Sequence, residues 1–460
     1  MRRRRTGATT RRTSRGRGPR SLAAAALALL ILAALGCVPG ATPASERIHA
    51  ASAALAPPRP AACRELAAAA PLQPALEAAA SGDALCLAPG DYQGPLRIGP
   101  GVVLWGPRTA VIHSTGEGTT VRLESDGAAL LGVTVDGSGG RYDLLDGAVR
   151  VEGQDVRVEG VTIRHAVFGI MVEKSRRVLV RGNEVVGDPA QVLGLRGDGI
   201  RLWETYDSRV EDNVMRDSRD MVVWYSNGNR IERNRIERGR YGTHLMYSHR
   251  NHLIGNVYVG DVTGVFLMYS REIELRDNVF ADAAGAAGFG LGLKESGDIH
   301  AVGNRFLKDT VGLYADTSPL YLDDHNTFEN NVFRWSEVAV IFHSSESRNV
   351  FRANDFRDNG TPVRVEGGGD ALGVAWESNY FDDYAGYDLD GDGIGDVPFE
   401  LRSLTSDLVG ENPALSFYRG TPALALVEAI GRVVPLLEPR LLLVDRSPQM
   451  APVAEGARAD

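Results

Sequence analysis

Short stretches in which apolar and polar residues alternate recur along most of the chain. Residues 242–248 and 264–270 are two such copies, 22 positions apart, and each repeats its polarity with a period of two. That period is typical of β-strands. No amphipathic helix of about ten residues fits between the copies, so alternating strand–helix units are excluded. The pattern predicts short strands that are joined directly by turns.

A second repeat sets the length of each coil. An Asn followed two residues later by an apolar residue recurs every 21 to 30 positions. Residues 132–135 and 160–163 keep the same frame without the Asn. Such coils predict an all-β fold, a right-handed parallel β-helix of about eleven coils. The Asn side chains are expected to stack at an inward corner and to hydrogen-bond along the solenoid. They are Asn183, Asn213, Asn234, Asn256, Asn278, Asn304, Asn331, Asn354 and Asn379.

The two ends of the chain depart from the repeat. Residues 37–80 are predicted to be a linker and a short Ala-rich helix that caps the first coil, and residues 81–381 form the β-helix. Residues 382–411 are predicted to be an Asp-rich loop and closing segment. Residues 412–460 form an apolar docking tail with a helix that starts at Pro422. This tail is expected to bury against the solenoid or against a partner.

The first 36 residues have the layout of a signal peptide. Arg-rich residues 1–20 precede an apolar run of 14 residues, 22–35, which is short for a membrane span. We therefore expect export to the periplasm. Cys37 follows a degenerate lipobox and is a candidate for lipid anchoring, and an uncleaved anchor is the alternative.

Composition narrows the range of partners. The formal charge is −9, or −18 without the nine Arg of residues 1–20. A protein this acidic is unsuited to neutralising phosphates, so a nucleic-acid partner is not expected. The aromatic share of 7% argues against a core built on large aromatic side chains.

Two cysteines remain beyond the leader and its neighbouring Cys37. Cys63 and Cys86 form a disulfide in an oxidising compartment, or they stay as two free buried thiols. Both interpretations are open at this point. The sequence contains no Cys/His spacing typical of structural zinc sites.

Aligning the alternating copies gives one inward column of apolar residues with an outward column on either side. One outward column would expose Trp203, Trp224, Met246 and Met268 on consecutive coils. An exposed apolar strip of this kind is typical of a docking surface or a ligand groove. The residues predicted to form a partner surface are Trp203, Trp224, Phe266 and His343.

The same strip contains soft metal ligands. His244, Met246 and Met268 are expected to approach one another, and His249 lies on the following turn. Imidazole and thioether donors suit Cu(I), so the four residues are a candidate copper site. The alternative is that a loop covers the strip and the methionines only pack.

An Asp-rich loop is a candidate calcium site. Asp388, Asp390, Asp392 and Asp396 occupy positions 1, 3, 5 and 9 of a loop that resembles the start of a calcium-binding loop. Position 12 is Phe399 instead of a bidentate Glu, which predicts weak binding. A solvated Asx-rich turn is the alternative.

Three segments together resemble a known family. Residues 241–248, residues 379–387 with the Asp loop that follows, and residues 412–450 are similar to nitrous-oxide reductase maturation proteins of the NosD type. The resemblance implies a periplasmic, non-catalytic accessory protein. It also implies an ABC-type ATPase and a membrane permease as partners, together with a copper chaperone. The implied task is assembly of the copper–sulfide centre of nitrous-oxide reductase.

A carbohydrate-active β-helix enzyme, a polysaccharide lyase or a glycoside hydrolase, is the alternative function. Its sugar-stacking rings would be Trp203 and Trp224. An enzyme of this kind needs a tight carboxylate cluster, whereas the outward columns supply only Glu173 and Asp316, far apart in coil number. The accessory protein is therefore favoured. The candidate acid/base residues of the alternative are Arg201, Lys294, Asp316 and His343.

Overall fold

The computed structural model describes residues 56–68, 70–345, 347–418, 421–433 and 439–452. Over these residues the chain winds into a right-handed parallel β-helix, so the predicted fold is confirmed. Three parallel sheets, A, B and C, run along the solenoid, and each coil adds one strand, or rung, to each sheet. The described helices are all too short or too polar to span a membrane. The predicted signal peptide, residues 1–36, and Cys37 lie outside the described residues.

The described part of the chain contributes fourteen strands to sheet A, thirteen to sheet B and twelve to sheet C. The strands of sheet A are Arg64–Leu66, Ala84–Leu87, Val103–Trp105, Ala129–Leu131, Arg157–Glu159, Leu179–Arg181, Arg209–Glu211, Arg230–Glu232, His252–Ile254, Arg271–Arg276, Gly297–Val302, Asn326–Glu329, Asn349–Arg352 and Ala375–Glu377. The strands of sheet B are Gly90–Gln93, Ala110–His113, Thr134–Asp136, Thr162–Arg164, Glu184–Val186, Val214–Arg216, Arg235–Glu237, Val257–Val259, Val279–Ala281, Arg305–Leu307, Val332–Arg334, Asp355–Arg357 and Tyr380–Phe381. The strands of sheet C are Leu96–Arg97, Val121–Leu123, Gly147–Val151, Phe168–Glu173, Ile200–Trp203, Asp220–Trp224, Tyr241–Met246, Thr263–Met268, Phe289–Lys294, Val311–Asp316, Val338–His343 and Thr361–Glu366.

The nine predicted Asn residues form the expected buried ladder between sheets A and B. Asn234 illustrates the pattern: its backbone N–H and its Nδ2 both donate to Oδ1 of Asn256, each over 3.0 Å. Its Nδ2 also donates to the carbonyl of Val210 over 2.8 Å. Each amide therefore satisfies a backbone N–H that the turn leaves without a strand partner.

Two expectations about the core are wrong. The solenoid has about fourteen coils rather than eleven, because the first coils have no ladder Asn to mark them. The core also uses large aromatic rings: Phe280, Phe306 and Phe333 stack with centroids 4.8 and 4.6 Å apart. The parallel register places equivalent residues above one another, so even a small number of aromatic residues fills one continuous column.

The first coil is closed by residues that precede it. Strand Arg64–Leu66 pairs with Ala84–Leu87, and a disulfide joins Cys63 to Cys86, which settles the alternative left open by the sequence. Helix α1, Leu72–Glu77, buries Leu72 and Leu76 against the same end. The apolar residues of α1 thus cover the open edge of the first coil.

The other end is closed by an antiparallel pair. Strand Phe399–Ser403 pairs with Arg440–Asp445. The chain between them forms helix α2, Leu404–Glu411, a 3₁₀ helix, Pro413–Tyr418, and helix α3, Pro422–Val433. Of the predicted tail, residues 412–460, the strand Arg440–Asp445 is therefore paired with the segment that precedes the tail.

Candidate functional site

Two outward columns of sheet C carry the candidate residues. The register aligns Trp203 with Trp224, Trp224 with Met246, and Met246 with Met268, as the alternation predicted. These four side chains are half-buried rather than exposed. The first outward column runs Met171, Arg201, Val222, His244, Phe266, Gly292, Tyr314 and Ile341, and the second runs Glu173, Trp203, Trp224, Met246, Met268, Lys294, Asp316 and His343.

His244 lies on the outward face and yet is only 6% exposed. Its ring lies between Tyr241 and Trp224, with centroids 4.7 and 5.4 Å away, and Phe266 is the next ring at 6.4 Å. Burial disfavours the charged imidazolium, which lowers the pKa of His244 to about 4. The imidazole is therefore neutral near pH 7.

Both ring nitrogens of His244 have partners. The indole N–H of Trp224 donates to Nδ1 over 3.3 Å. On the other side Nε2 lies 3.2 Å from Sδ of Met268, one rung further along. Met246 is two residues after His244 on the same strand and is aligned with Met268.

This donor set fits Cu(I). A neutral imidazole and two thioethers are soft ligands without charge, whereas Ca²⁺ and Mg²⁺ require oxygen ligands. Aromatic rings surround the imidazole of His244 and shield it from water, whereas the two thioethers are only half-buried. His244, Met268 and Met246 are thus the residues that would hold a cuprous ion.

His249 is not brought to this group. The chain bends at Tyr247, where φ is 49°, so that His249 lies on the turn towards sheet A. There its Nδ1 accepts the backbone N–H of Arg271 over 3.2 Å. Its described contacts connect it with neither His244 nor the methionines.

Aromatic side chains continue the surface beyond the copper candidate. The rings of Trp203 and Trp224 lie 5.7 Å apart, and the guanidinium of Arg201 lies 4.7 Å over Trp203. The same guanidinium lies 5.4 Å over Trp224 and reaches Asp198 over 3.3 Å. The predicted partner residues Trp203 and Trp224 therefore form one wall that Arg201 holds in place by cation–π contact.

A stack of tyrosines borders this wall. Tyr225, Tyr247 and Tyr269 stack with centroids 5.5 and 4.8 Å apart. All three have φ near 50°, in the left-handed region that non-glycine residues seldom adopt. Tyr225 and Tyr247 remain exposed at 40% and 43%.

The strip becomes polar at its other end. Asp316 lies 3.6 Å from Nζ of Lys294 and 3.5 Å from Nδ1 of His343. The hydroxyl of Tyr314 is 3.3 Å from the same Nδ1. Burial raises the pKa of Tyr314 to about 12, so this phenol stays protonated. His343, predicted as a partner residue, thus belongs to an ion-pair cluster rather than to the aromatic wall.

The Asp loop gathers three of its four predicted carboxylates. Oxygens of Asp388, Asp390 and Asp392 lie within 4.8 Å of one another. Asp396 accepts the backbone N–H of Leu389 over 2.6 Å and closes the loop. The backbone N–H groups of Gly393 and Gly391 hold the pKa of Asp388 below its ordinary value. Calcium binding stays a prediction.

Tyr241 was missed by the sequence analysis. It stands three residues before His244, and strict alternation assigns the two to opposite faces. The pairing register shifts between Asp220 and Val222 on the neighbouring strand, which breaks the alternation and lets the ring of Tyr241 contact His244. A period of two contains no signal for such an irregularity.

The sequence of this chain is similar to the sequences of known proteins. A family model described as periplasmic copper-binding protein (NosD) matches residues 185–386, which include every strand of the copper candidate. The probable ABC transporter binding protein NosD of Stutzerimonas stutzeri is 28% identical over 376 residues, 76% of this chain and 83% of the relative. The predicted resemblance is confirmed: the chain is similar to NosD proteins over 76% of its length.

A second relative and a solved structure are also similar to this chain. The probable ABC transporter binding protein NosD of Pseudomonas aeruginosa is 27% identical to this chain over 378 residues, 76% of this chain and 84% of the relative. Among solved structures, the A-module of the mannuronan C-5 epimerase AlgE6 of Azotobacter vinelandii is 14% identical, covers 66% of this chain and 93% of its own, and has a TM-score of 0.47.

Proposed function

We propose that this protein is a NosD-type periplasmic accessory protein that binds Cu(I) on the outer face of sheet C. It acts with an ABC-type ATPase and a membrane permease in assembling the copper–sulfide centre of nitrous-oxide reductase. The observation that carries the proposal is the part-buried, uncharged pair of His244 Nε2 and Met268 Sδ, 3.2 Å apart. The description of the matched family and the names of the two relatives support it.

The donor set suits transfer rather than permanent storage. Thioethers are weak, neutral ligands, and Met246 and Met268 are half-buried, so an incoming donor can reach them from solvent. We propose that a copper chaperone delivers the ion to these methionines. The aromatic wall of Trp203 and Trp224 beside them is the proposed contact surface for that chaperone or for the reductase.

Anaerobic titration with Cu(I) against a chromophoric competitor tests the site. The wild-type protein is expected to bind one equivalent, and the Met246→Leu, Met268→Leu variant to bind at least tenfold more weakly. Leucine preserves the volume, so the fold is retained. Met450→Leu, at a methionine 37% exposed outside the strip, is the matched control and keeps the wild-type affinity. Equal affinities of all three proteins would remove the methionines from the proposal.

The helical segment between the terminal strands is the proposed contact with the permease. Phe417 is 88% exposed, and Leu426 and Ile430, one helical turn apart on α3, are 61% and 42% exposed. Such side chains project apolar surface into water unless a partner covers them. The acidic charge of the chain excludes nucleic acid as that partner.

A triple variant tests this contact without disturbing the fold. Phe417→Ser, Leu426→Ser, Ile430→Ser is expected to abolish recovery of the protein with membranes that contain the permease, while its urea midpoint stays unchanged. Leu389→Ser, at another apolar side chain that is 80% exposed, is the control. Deleting residues 412–460 would be a poor test, because that deletion also removes the strand Arg440–Asp445. Full recovery of the triple variant would end this part of the proposal.

One observation favours a second candidate function. Lys294, Asp316 and His343, which the carbohydrate-active alternative requires as acid/base residues, lie together in one cluster. Asp316 beside Nδ1 of His343 leaves Nε2 free to act as a base. Incubation with acidic polysaccharides and measurement of new chain ends tests this function, with His343→Gln as the variant. Chain cleavage that His343→Gln abolishes would establish the enzyme.

A further inference from the structure

The hydrogen bonds of His244 define which of its nitrogens carries the proton. An indole N–H is a donor only, so the contact from Trp224 Nε1 requires Nδ1 of His244 to be an acceptor. The ring is therefore the neutral tautomer with its proton on Nε2. That N–H points at Sδ of Met268, 3.2 Å away, and the contact is an N–H···S hydrogen bond.

This tautomer cannot bind a metal ion through Nε2. A metal ligand needs the lone pair of the nitrogen, and a neutral imidazole that binds through Nε2 carries its proton on Nδ1. A proton on Nδ1 would face the indole N–H of Trp224 at 3.3 Å, donor against donor. The hydrogen bond from Trp224 and a copper ion on Nε2 therefore exclude each other.

We propose that Trp224 is a latch that holds His244 in the tautomer unable to bind copper, and that Cu(I) binding displaces the Trp224 indole from His244. The inference rests on the proposed copper site. The step conserves protons and electrons: the Nε2–H bond breaks, an Nδ1–H bond forms through solvent, and Nε2 donates its lone pair to Cu(I), which stays cuprous.

The displaced indole has a path to solvent. Trp224 is half-buried, and its ring contacts Trp203 at 5.7 Å in the aromatic wall. Movement of Trp224 therefore changes the surface proposed to contact the partner. Binding of Cu(I) to the site and the shape of the contact surface are therefore linked through the side chain of Trp224.

Nitrogen NMR of the full-length protein tests the latch before any copper is added. With ¹⁵N-labelled histidine, His244 is expected to show its proton on Nε2 in the copper-free protein and on Nδ1 after one equivalent of Cu(I). The indole N–H signal of Trp224 should shift in the same step. A copper-free protein with the proton of His244 on Nδ1 would overturn the proposal, whatever its affinity for copper.

Cu(I) affinity gives the second readout. Trp224→Phe keeps an aromatic ring but removes the N–H donor, and it is expected to bind Cu(I) roughly threefold to tenfold more tightly, the contribution of one hydrogen bond. Trp335→Phe, at a tryptophan that is 47% exposed and lies outside the strip, is the matched control and should keep the wild-type affinity. Unchanged or weaker binding by Trp224→Phe overturns the latch while the copper site stands. Absence of Cu(I) binding in every variant, Trp224→Phe included, overturns the copper site and the latch together.

Discussion

Asp445 closes the Asn ladder at Asn379. Its Oδ2 accepts both the backbone N–H and the Nδ2–H of Asn379, each over 2.9 Å, and Asp445 is fully buried. The two residues are 66 positions apart in sequence. At every earlier rung the side-chain amide of one Asn donates to Oδ1 of the Asn on the next rung. The acceptor after Asn379 has no further rung to which it could donate a hydrogen bond. A carboxylate is suited to this position because it accepts only.

Removing that carboxylate should destabilise the closing end. Asp445→Ala leaves two buried N–H groups of Asn379 without an acceptor, and we expect the free energy of unfolding to fall by about 2–5 kcal/mol. Urea denaturation measures the loss, and hydrogen exchange at the Asn379 amide locates it. Asp445→Asn keeps an acceptor oxygen and should lose much less. Equal losses in both variants would show that the contact with Asn379 contributes little.

Asp261 should make the stability of the fold depend on pH. Its Oδ1 accepts the N–H of Gly239 over 2.6 Å, and Oδ2 is buried without a hydrogen-bond partner among the described residues. Burial raises the pKa of Asp261 to about 8, against about 3.9 in the unfolded chain. Between these two pKa values the folded state holds one more proton, so the free energy of unfolding falls as the pH rises, by about 1.4 kcal/mol per pH unit. The contribution is complete below about pH 4 and lost above about pH 8.

Asp261→Asn should remove this loss and stabilise the protein at pH 8 relative to wild type. Asn359 shows that an amide fits the equivalent turn, because its Oδ1 accepts the N–H of Ser336 over 3.0 Å. Urea midpoints at pH 5 and pH 8 make the comparison, and the exposed Asp143→Asn is the control. Parallel pH profiles for wild type and Asp261→Asn would contradict the raised pKa.

The Cys63–Cys86 disulfide should stabilise the first coil. It spans 23 residues, and a crosslink of that span contributes about 3 kcal/mol. Cys63→Ala, Cys86→Ala is expected to lose that amount in urea denaturation, and wild type with a thiol reductant should lose the same. The double variant should not respond to the reductant. A reductant effect of equal size in the variant would assign the loss to something other than this bond.

Calcium should stabilise the closing loop only weakly. Three carboxylates lie within 4.8 Å of one another, and a cation would offset their repulsion, yet Phe399 stands where a bidentate ligand is needed. We expect a dissociation constant for Ca²⁺ of about 10⁻⁴–10⁻³ M. At a free Ca²⁺ concentration tenfold above that constant, the free energy of unfolding should rise by about 1.4 kcal/mol. Thermal denaturation with Ca²⁺, with Mg²⁺ and with a chelator measures it. Asp388→Asn, Asp392→Asn should lose the response, and a response equal to wild type would dismiss the loop as the site.

The repeating features of the fold were predictable because equivalent positions recur in successive coils. The Asn ladder and the alignment of Trp224, Met246 and Met268 follow directly from the spacing of the copies. The burial of His244 was not predictable, since it depends on how Tyr241 and Trp224 pack around the ring across neighbouring rungs. Its hydrogen bond from Trp224 likewise requires atomic positions.

The contacts that close the end of the solenoid could not be predicted from the repeat pattern either. Asp445 lies outside the repeat, in a stretch predicted only as an apolar tail, and no periodic position marks it as the partner of Asn379. The pairing of Arg440–Asp445 with Phe399–Ser403 spans a helical excursion that has no counterpart in the coils. Contacts made once in a molecule leave no periodic trace.

The helical excursion has a mechanical consequence. It leaves the solenoid from one strand of an antiparallel pair and re-enters through the other, so both of its ends are fixed at the same place. A membrane partner that binds Phe417 and α3 would transmit force to the strand Arg440–Asp445, whose Asp445 carboxylate terminates the Asn ladder. The solenoid would then be attached rigidly through its closing end and not through a flexible linker. That attachment would set the direction in which the proposed copper site faces relative to the membrane.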